Sequence, residues 1–296
     1  MKFYQSYYAY DVNRFGVQNK EELTSYIYAL SCHYLKKLGQ EVILYVNGLG
    51  CEILKPLPYD AKIPLQENVD PKSFWAYGKM LSHVKAPLGA VHIDGDVIIS
   101  KKEAIDYIEQ NGKNVDLFVQ HVEAGDLAGQ AFYLEDTKMA NKLRNELKDI
   151  CPPEIKFSHN ESYHCGLIQM NNQKMKDRYL DIYFRIHEGL GRTDFFDKED
   201  SDCWTPDLVL EQAYLWDIVK YHSYKYACLF HLMTRCADYW CNSIYGYKHF
   251  SATGKYKFVE RIRAELKAEN PKLYHDVVEN NIINGEKGLY VVAYKA

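Results

Sequence analysis

Ala90-Val91-His92-Ile93-Asp94-Gly95-Asp96-Val97-Ile98-Ile99 is the stretch on which the fold turns. A short apolar run meets an acidic turn, and a second apolar run leaves it, which reads as strand, turn, strand. Working toward the N-terminus, a helix is expected around 70 to 84 and a weaker strand at Ala61 to Leu65. Before that, Glu41 to Val46 (EVILYV) is a short buried strand ended by Asn47-Gly48. Leu23, Ile27, Leu30, Tyr34 and Leu38 lie on one face of a helix over 21 to 38, and residues 2 to 10 (KFYQSYYAY) make an aromatic-rich first strand. Strands alternating with helices predict parallel βαβ units in an α/β sheet. The acidic turn then falls at the carboxyl end of a strand preceded by two βα units, where open α/β sheets place their ligands.

Toward the C-terminus a strand is expected at 115 to 122, and Tyr163-His164-Cys165-Gly166-Leu167-Ile168 is another. Helices are expected at 137 to 149, 172 to 188 and 206 to 221, the last with Thr205 as cap, Pro206 at the first position and Asp207 complementing the dipole. The polar segment 189 to 204 reads as a long loop, and the chain from Phe258 mixes a charged helix with a strand-like Leu289-Tyr290-Val291-Val292. The division expected is one large domain, 1–256, with a helical C-terminal extension, 257–296, packed on it.

The balance of 36 Lys+Arg against 40 Asp+Glu, net −4, argues against a nucleic-acid binder. A hydrophobic fraction of 47% argues against disorder and gives enough material for a core. Eight cysteines without a C-x-x-C pair suit a reduced cytoplasmic chain of buried thiols. The start lacks a secretory signal pattern and no uncharged apolar run is long enough to span a bilayer. Peripheral membrane contact stays open: Lys255, Lys257, Arg261, Arg263 and Lys267 form a basic run, but Glu260, Glu265 and Glu269 interrupt it as on a solvated helix.

With 20 Asp in 296 residues, chance alone yields about one D-x-D pair, and a second exists at Asp200/Asp202. Context separates Asp94/Asp96 from that background. Two carboxylates at a strand's carboxyl end can share a divalent cation, and Gly95 would let the backbone approach a ligand closely. The plain alternative is an acidic turn in water.

With these residues in view, the sequence resembles nucleotide-sugar glycosyltransferases of the GT-A fold, family 8 and related bacterial polysaccharide enzymes, over roughly residues 2 to 258. Asp94-Gly95-Asp96 matches the D-x-D that binds Mn²⁺ and the nucleotide diphosphate. The strand 163–168 looks like N-[AS]-G-[VL], which faces the donor sugar, with His164 for Asn and Gly166 kept. Leu210-Glu211-Gln212 resembles the D-Q pair near the reacting sugar, with Glu for Asp. His249, with Gly254 and Lys255, resembles H-x-x-G-x-x-K, whose His is the third metal ligand and whose Lys grips the diphosphate.

The resemblance implies a Rossmann-like, mostly parallel central sheet flanked by helices. It also implies a donor contact from Lys79, ahead of the D-x-D strand, and a nucleotide base held at the end of the first strand, where Tyr8 would stack on it. Its activity would be transfer of a sugar from a nucleotide diphosphate sugar, UDP favoured, to a saccharide or lipid-linked acceptor, as in cytosolic polysaccharide synthesis.

The chemistry is coherent by itself. Asp94, Asp96 and His249 offer two hard oxygens and an imidazole, a set that suits Mn²⁺ better than an all-oxygen Mg²⁺ cage. Metal and Lys255 would offset charge on a departing diphosphate, and Glu211 or Gln212 could serve the oxocarbenium-like centre as base, nucleophile or electrostatic support. Among the 26 tyrosines, Tyr163, Tyr245 and Tyr247 flank these motifs and could meet sugar faces. Bland readings stand beside these: a loop histidine at 249, a surface lysine at 79, a solvated Glu211, and a satisfied core pair at His164-Cys165. Two other functions compete. A haloacid dehalogenase-like phosphatase would carry its D-x-D in the first strand, and a non-catalytic nucleotide-sugar-binding module would share the fold without turnover.

Overall fold

The computed structural model describes residues 1–9, 20–65, 76–124, 145, 148–156, 161–191, 209–230, 235–236, 239–250 and 257–289. Its elements are β1 (Lys2–Tyr7), α1 (Lys20–Lys37), β2 (Glu41–Val46), α2 (Gly48–Ile53), β3 (Ala61–Pro64), α3 (Tyr77–Lys85), β4 (Val91–Ile93), β5 (Val97–Ile99), α4 (Lys102–Gly112), β6 (Leu117–Ala124) and β7 (Glu161–Met170). They continue with α5 (Gln173–Gly191), a π-helical turn (Val209–Ala213), α6 (Tyr214–Tyr221), β8 (Tyr226–Cys228), β9 (Arg235–Cys236), β10 (Tyr239–Asn242), β11 (Tyr247–His249), α7 (Val259–Glu269) and α8 (Pro271–Glu286). The fold is α/β, as expected. A mostly parallel seven-stranded sheet has the order β3-β2-β1-β4-β7-β6-β8, and a four-stranded sheet the order β5-β11-β10-β9. β1 with β2, β2 with β3 and β6 with β8 are parallel, while β6 and β7 are antiparallel.

The chain forms two compact units: Met1–Val69, Ile93–Asp106 and Thr234–Ala296 make the first, and Asp70–His92 with Tyr107–Met233 the second. In the first, β2 is buried at every position after Glu41, as a central strand covered on both faces must be. Helix α1 was expected to bury one face, yet Glu22, Ser25 and Ser31 are buried along with its apolar residues. The C-terminal helices cover part of this helix, Ser25 included. Tyr34 Oη donates to Glu265 at 2.9 Å, Asn281 Nδ2 donates to Ser25 Oγ at 3.0 Å, and Tyr26 stacks on Tyr274. Leu23, Ile27 and Leu30 share one apolar cluster with Leu44, Ile262, Leu266 and Val277.

Two polar residues punctuate this unit. Asn47 does more than end β2: its Oδ1 accepts from Gly50 N at 3.1 Å, capping α2, and from Ala9 N at 3.0 Å, while its Nδ2 donates to Ala9 O at 2.8 Å. It thereby ties the segment leaving β1 to the end of β2. Asn270 splits the charged C-terminal segment into two helices, accepting from Leu273 N at 3.0 Å with Pro271 at the first position of α8.

In the second unit, Met80, Val119, Tyr163, Ile168, Tyr179 and Trp216 belong to one apolar cluster. Much of the tyrosine excess is core, since Tyr26, Tyr45, Tyr163, Tyr179, Tyr183, Tyr214 and Tyr247 are all less than 2% exposed. The expected roles of Tyr163 and Tyr247 on sugar faces are corrected accordingly: burial leaves neither ring a surface to offer. Among the described residues no helix is long and apolar enough to cross a membrane. Almost all of the expected helix at 137 to 149, and the loop beyond Gly191 with Thr205, Pro206 and Asp207, lie outside the described residues.

Candidate metal centre

In the first unit β4 ends at Ile93, and the acidic turn that follows is closed by Val97 N donating to Asp94 O at 2.9 Å. β11 then runs antiparallel to β5 with His249 opposite Val97, and Phe250 N donates to Asp96 O at 3.0 Å. This register is what brings a histidine distant in sequence to the turn. His249 Nε2 lies 3.3 Å from Asp96 Oδ1, and one ligand atom from each of Asp94, Asp96 and His249 lies within 4.8 Å of the others. Bonds of about 2.1 Å to a small divalent cation place neighbouring ligand atoms about 3 Å apart and opposite ones about 4.2 Å apart; the 3.3 Å His249–Asp96 separation matches the first, and the 4.8 Å spread of the three is slightly wider than the second. Both carboxylates are half-buried and the imidazole is buried.

Strand alternation puts Tyr247 on the same face as His249, while Lys248 between them pairs with Glu265 at 3.1 Å. Burial, reinforced by Asp94 and Asp96, pushes the Tyr247 phenol well above its ordinary range. It stays a neutral hydroxyl in the field of the two carboxylates.

Gly95 has a packing reason to lack a side chain. A Cβ there would come within 2.0–2.3 Å of the Tyr28 ring, so the close approach is a packing contact within the protein. Tyr28 is itself anchored, donating from Oη to Ser6 O at 2.8 Å and packing against Tyr7. Tyr8, the residue expected to stack on a base, follows β1 directly and is half-buried.

The second unit brings together two candidates that the sequence treated separately. Lys79 on α3 donates to Cys165 O at 2.8 Å and lies 2.5 Å from Glu211 Oε1, with side chains 5% and 1% exposed. Lys79 is thus engaged inside the protein rather than displayed on a surface, and Glu211 is not on a solvated face. Glu211 lies in the π-helical turn, and its carbonyl accepts from Tyr179 Oη at 3.0 Å. Gln212 is buried beside it. Near Lys79, His83 and His92 meet edge to face at 5.1 Å, and burial, with Lys79 adding to it, holds both imidazoles well below their ordinary pKa.

His164 is buried; its Nδ1 accepts from Gly166 N at 3.3 Å, and its ring stacks on His121 at 4.8 Å. Lys255 and Gly254 lie outside the described residues.

A family model described as a family of unknown function, DUF6734, matches residues 1–280. The chain belongs to the DUF6734 family. A search of curated proteins finds no match. In this DUF6734 chain, sequence reasoning found the three clustered residues but missed the residues around their backbone: Gln5, which approaches Asp94 O, Ser31, which donates to Val97 O, Tyr59, which donates to Gln5, and Tyr28, which packs on Gly95. Their one signal was polarity out of place: Gln5 sits in an aromatic strand and Ser31 one residue from Leu30 on a buried helix, both fully buried.

Proposed function

We propose that this DUF6734 protein is a metal-dependent glycosyltransferase that moves a sugar from a nucleotide diphosphate sugar, a UDP-sugar first, to a saccharide or lipid-linked acceptor. The observation that carries the reading is the convergence of Asp94, Asp96 and His249 within 4.8 Å, because the D-x-D and the histidine were singled out by different motifs. An acidic turn alone would need no imidazole beside it. The donor set of two carboxylates and one imidazole suits Mn²⁺, with Mg²⁺ as the substitute.

Bound there, the cation would supply positive charge against the diphosphate as it departs. The chain's own groups do the rest. Asp94 and Asp96 would hold the ion through hard oxygens, and His249 would add an imidazole nitrogen. Tyr8 stacks on the base, and Lys255 meets the diphosphate. Glu211, 1% exposed and paired with Lys79, has no surface to offer a sugar, so the expected role at the reacting centre is not assigned to it. A net charge of −4 fits a protein that binds its anionic donor through a metal and a lysine, with no broad basic field. The cysteines Cys32, Cys51, Cys151, Cys165 and Cys228 are unbridged, which supports a reducing, cytoplasmic setting.

The test is donor turnover. With Mn²⁺ and a panel of nucleotide sugars, the wild-type chain should release nucleoside diphosphate, and Asp96→Ala should release none. Phosphate release from small phosphoesters without donor turnover would favour the phosphatase, and nucleotide binding without turnover a binding module; either result contradicts the transferase.

A further inference from the structure

We infer that Ser31, with Gln5 behind it, is a positioning residue for the Asp94–Asp96–His249 centre; the inference rests on the metal reading above. Ser31 Oγ donates to Val97 O at 2.5 Å. Val97 is the junction of the centre: it follows Asp96, its N–H closes the turn on Asp94 O, and it pairs with His249 across β5 and β11. Fixing its carbonyl therefore fixes both segments that carry ligands.

Ser31 is itself oriented. Gln5 Nε2 donates to Ser31 Oγ at 2.9 Å and approaches Asp94 O at 3.5 Å, and Tyr59 Oη donates to Gln5 Oε1 at 2.6 Å. Gln5 and Ser31 are 0% exposed, so water cannot replace the bonds that either loses. Each donor points one way, from Tyr59 through Gln5 and Ser31 to Val97, and such chains polarise and stiffen one another. The Tyr28 ring packs directly against Gly95 in the same turn. The turn is held in the shape that clusters its carboxylates before any ion arrives, and groups that orient metal ligands typically matter 10–100-fold, at order of magnitude, for affinity.

The experiment is Mn²⁺ titration of the full chain, followed by electron paramagnetic resonance of free Mn²⁺. Ser31→Ala and Gln5→Leu should each weaken Mn²⁺ binding by about tenfold or more, and Tyr59→Phe, the outermost link, should weaken it less. Ser25 on the same helix is the control. It is equally buried but bonds to Glu22 O and Asn281, so Ser25→Ala should leave Mn²⁺ affinity unchanged. Equal losses in Ser25→Ala and Ser31→Ala would mean general loosening and overturn the inference. If Asp96→Ala abolishes binding while both Ser31→Ala and Gln5→Leu bind like wild type, the positioning role falls and the metal reading survives. If the wild type binds no Mn²⁺, both fall. Should Ser31→Ala fail to fold, Gln5→Leu decides by itself.

Discussion

At the residue scale the strongest constraint is the ion pair between Lys79 and Glu211. Both side chains are removed from water, and their pairing offsets part of that desolvation. Replacing Lys79 by Met should cost about 3–5 kcal/mol of unfolding free energy, because a buried carboxylate loses this cation. The double variant Lys79→Met/Glu211→Leu should regain most of that loss. Urea unfolding of the three proteins checks it, and a single variant as stable as wild type would show that the pair is not what stabilises this region. The sequence marked each residue as a candidate and could not show that they meet, since their pairing depends on how α3 and the π-helical turn pack on β7. Ser31 was hidden for a related reason: a serine between Leu30 and Cys32 on a helix carries no periodic signal of its own. Asp94, Asp96 and His249 were legible because a short motif fixes the first two and the spacing to Lys255 marked the third.

Among the elements, legibility followed length and pattern. β2 lies over the expected residues, and α1 and the start of α5 fall within a residue of expectation, because four or more apolar positions repeat in each. β9, β10 and β11 are two to four residues long, too short for alternation to register, yet β11 is the strand that delivers His249. Helix α3 and strand β4 carry His83 and His92, and here burial has a consequence for pH. Unfolded, each histidine takes up a proton near its ordinary pKa of about 6.5. Folded, each stays neutral to much lower pH. The unfolded chain therefore binds more protons in acid, and the stability due to neutral burial, complete above about pH 6.5, is lost as pH falls below it. Unfolding free energy should drop between pH 7 and pH 5 by up to about 1.4 kcal/mol per pH unit for each histidine. His92→Gln should flatten that slope in chemical unfolding series, and an unchanged slope would contradict the assignment.

For the whole molecule, the family match over residues 1–280 takes in the Asp94–Asp96–His249 cluster of the first unit and the Lys79–Glu211 pair of the second. The α/β class and the mostly parallel sheet were legible from strand and helix alternation. The grouping of Ile93–Asp106 and Thr234–Ala296 with the N-terminal segment was not, because it depends on long-range packing such as that of α7 and α8 on α1. The central claim is that Asp94, Asp96 and His249 hold a divalent cation for a nucleotide diphosphate. It is tested most directly by thermal unfolding with UDP, with and without Mn²⁺, on the wild type and Asp96→Ala. At a hundred times its dissociation constant a ligand adds about 2.7 kcal/mol. UDP with Mn²⁺ should thus raise the wild-type melting temperature by several degrees, UDP alone should raise it much less, and Asp96→Ala should respond to neither. A wild type that UDP with Mn²⁺ leaves unmoved, or an Asp96→Ala variant that shifts as far, would contradict the account.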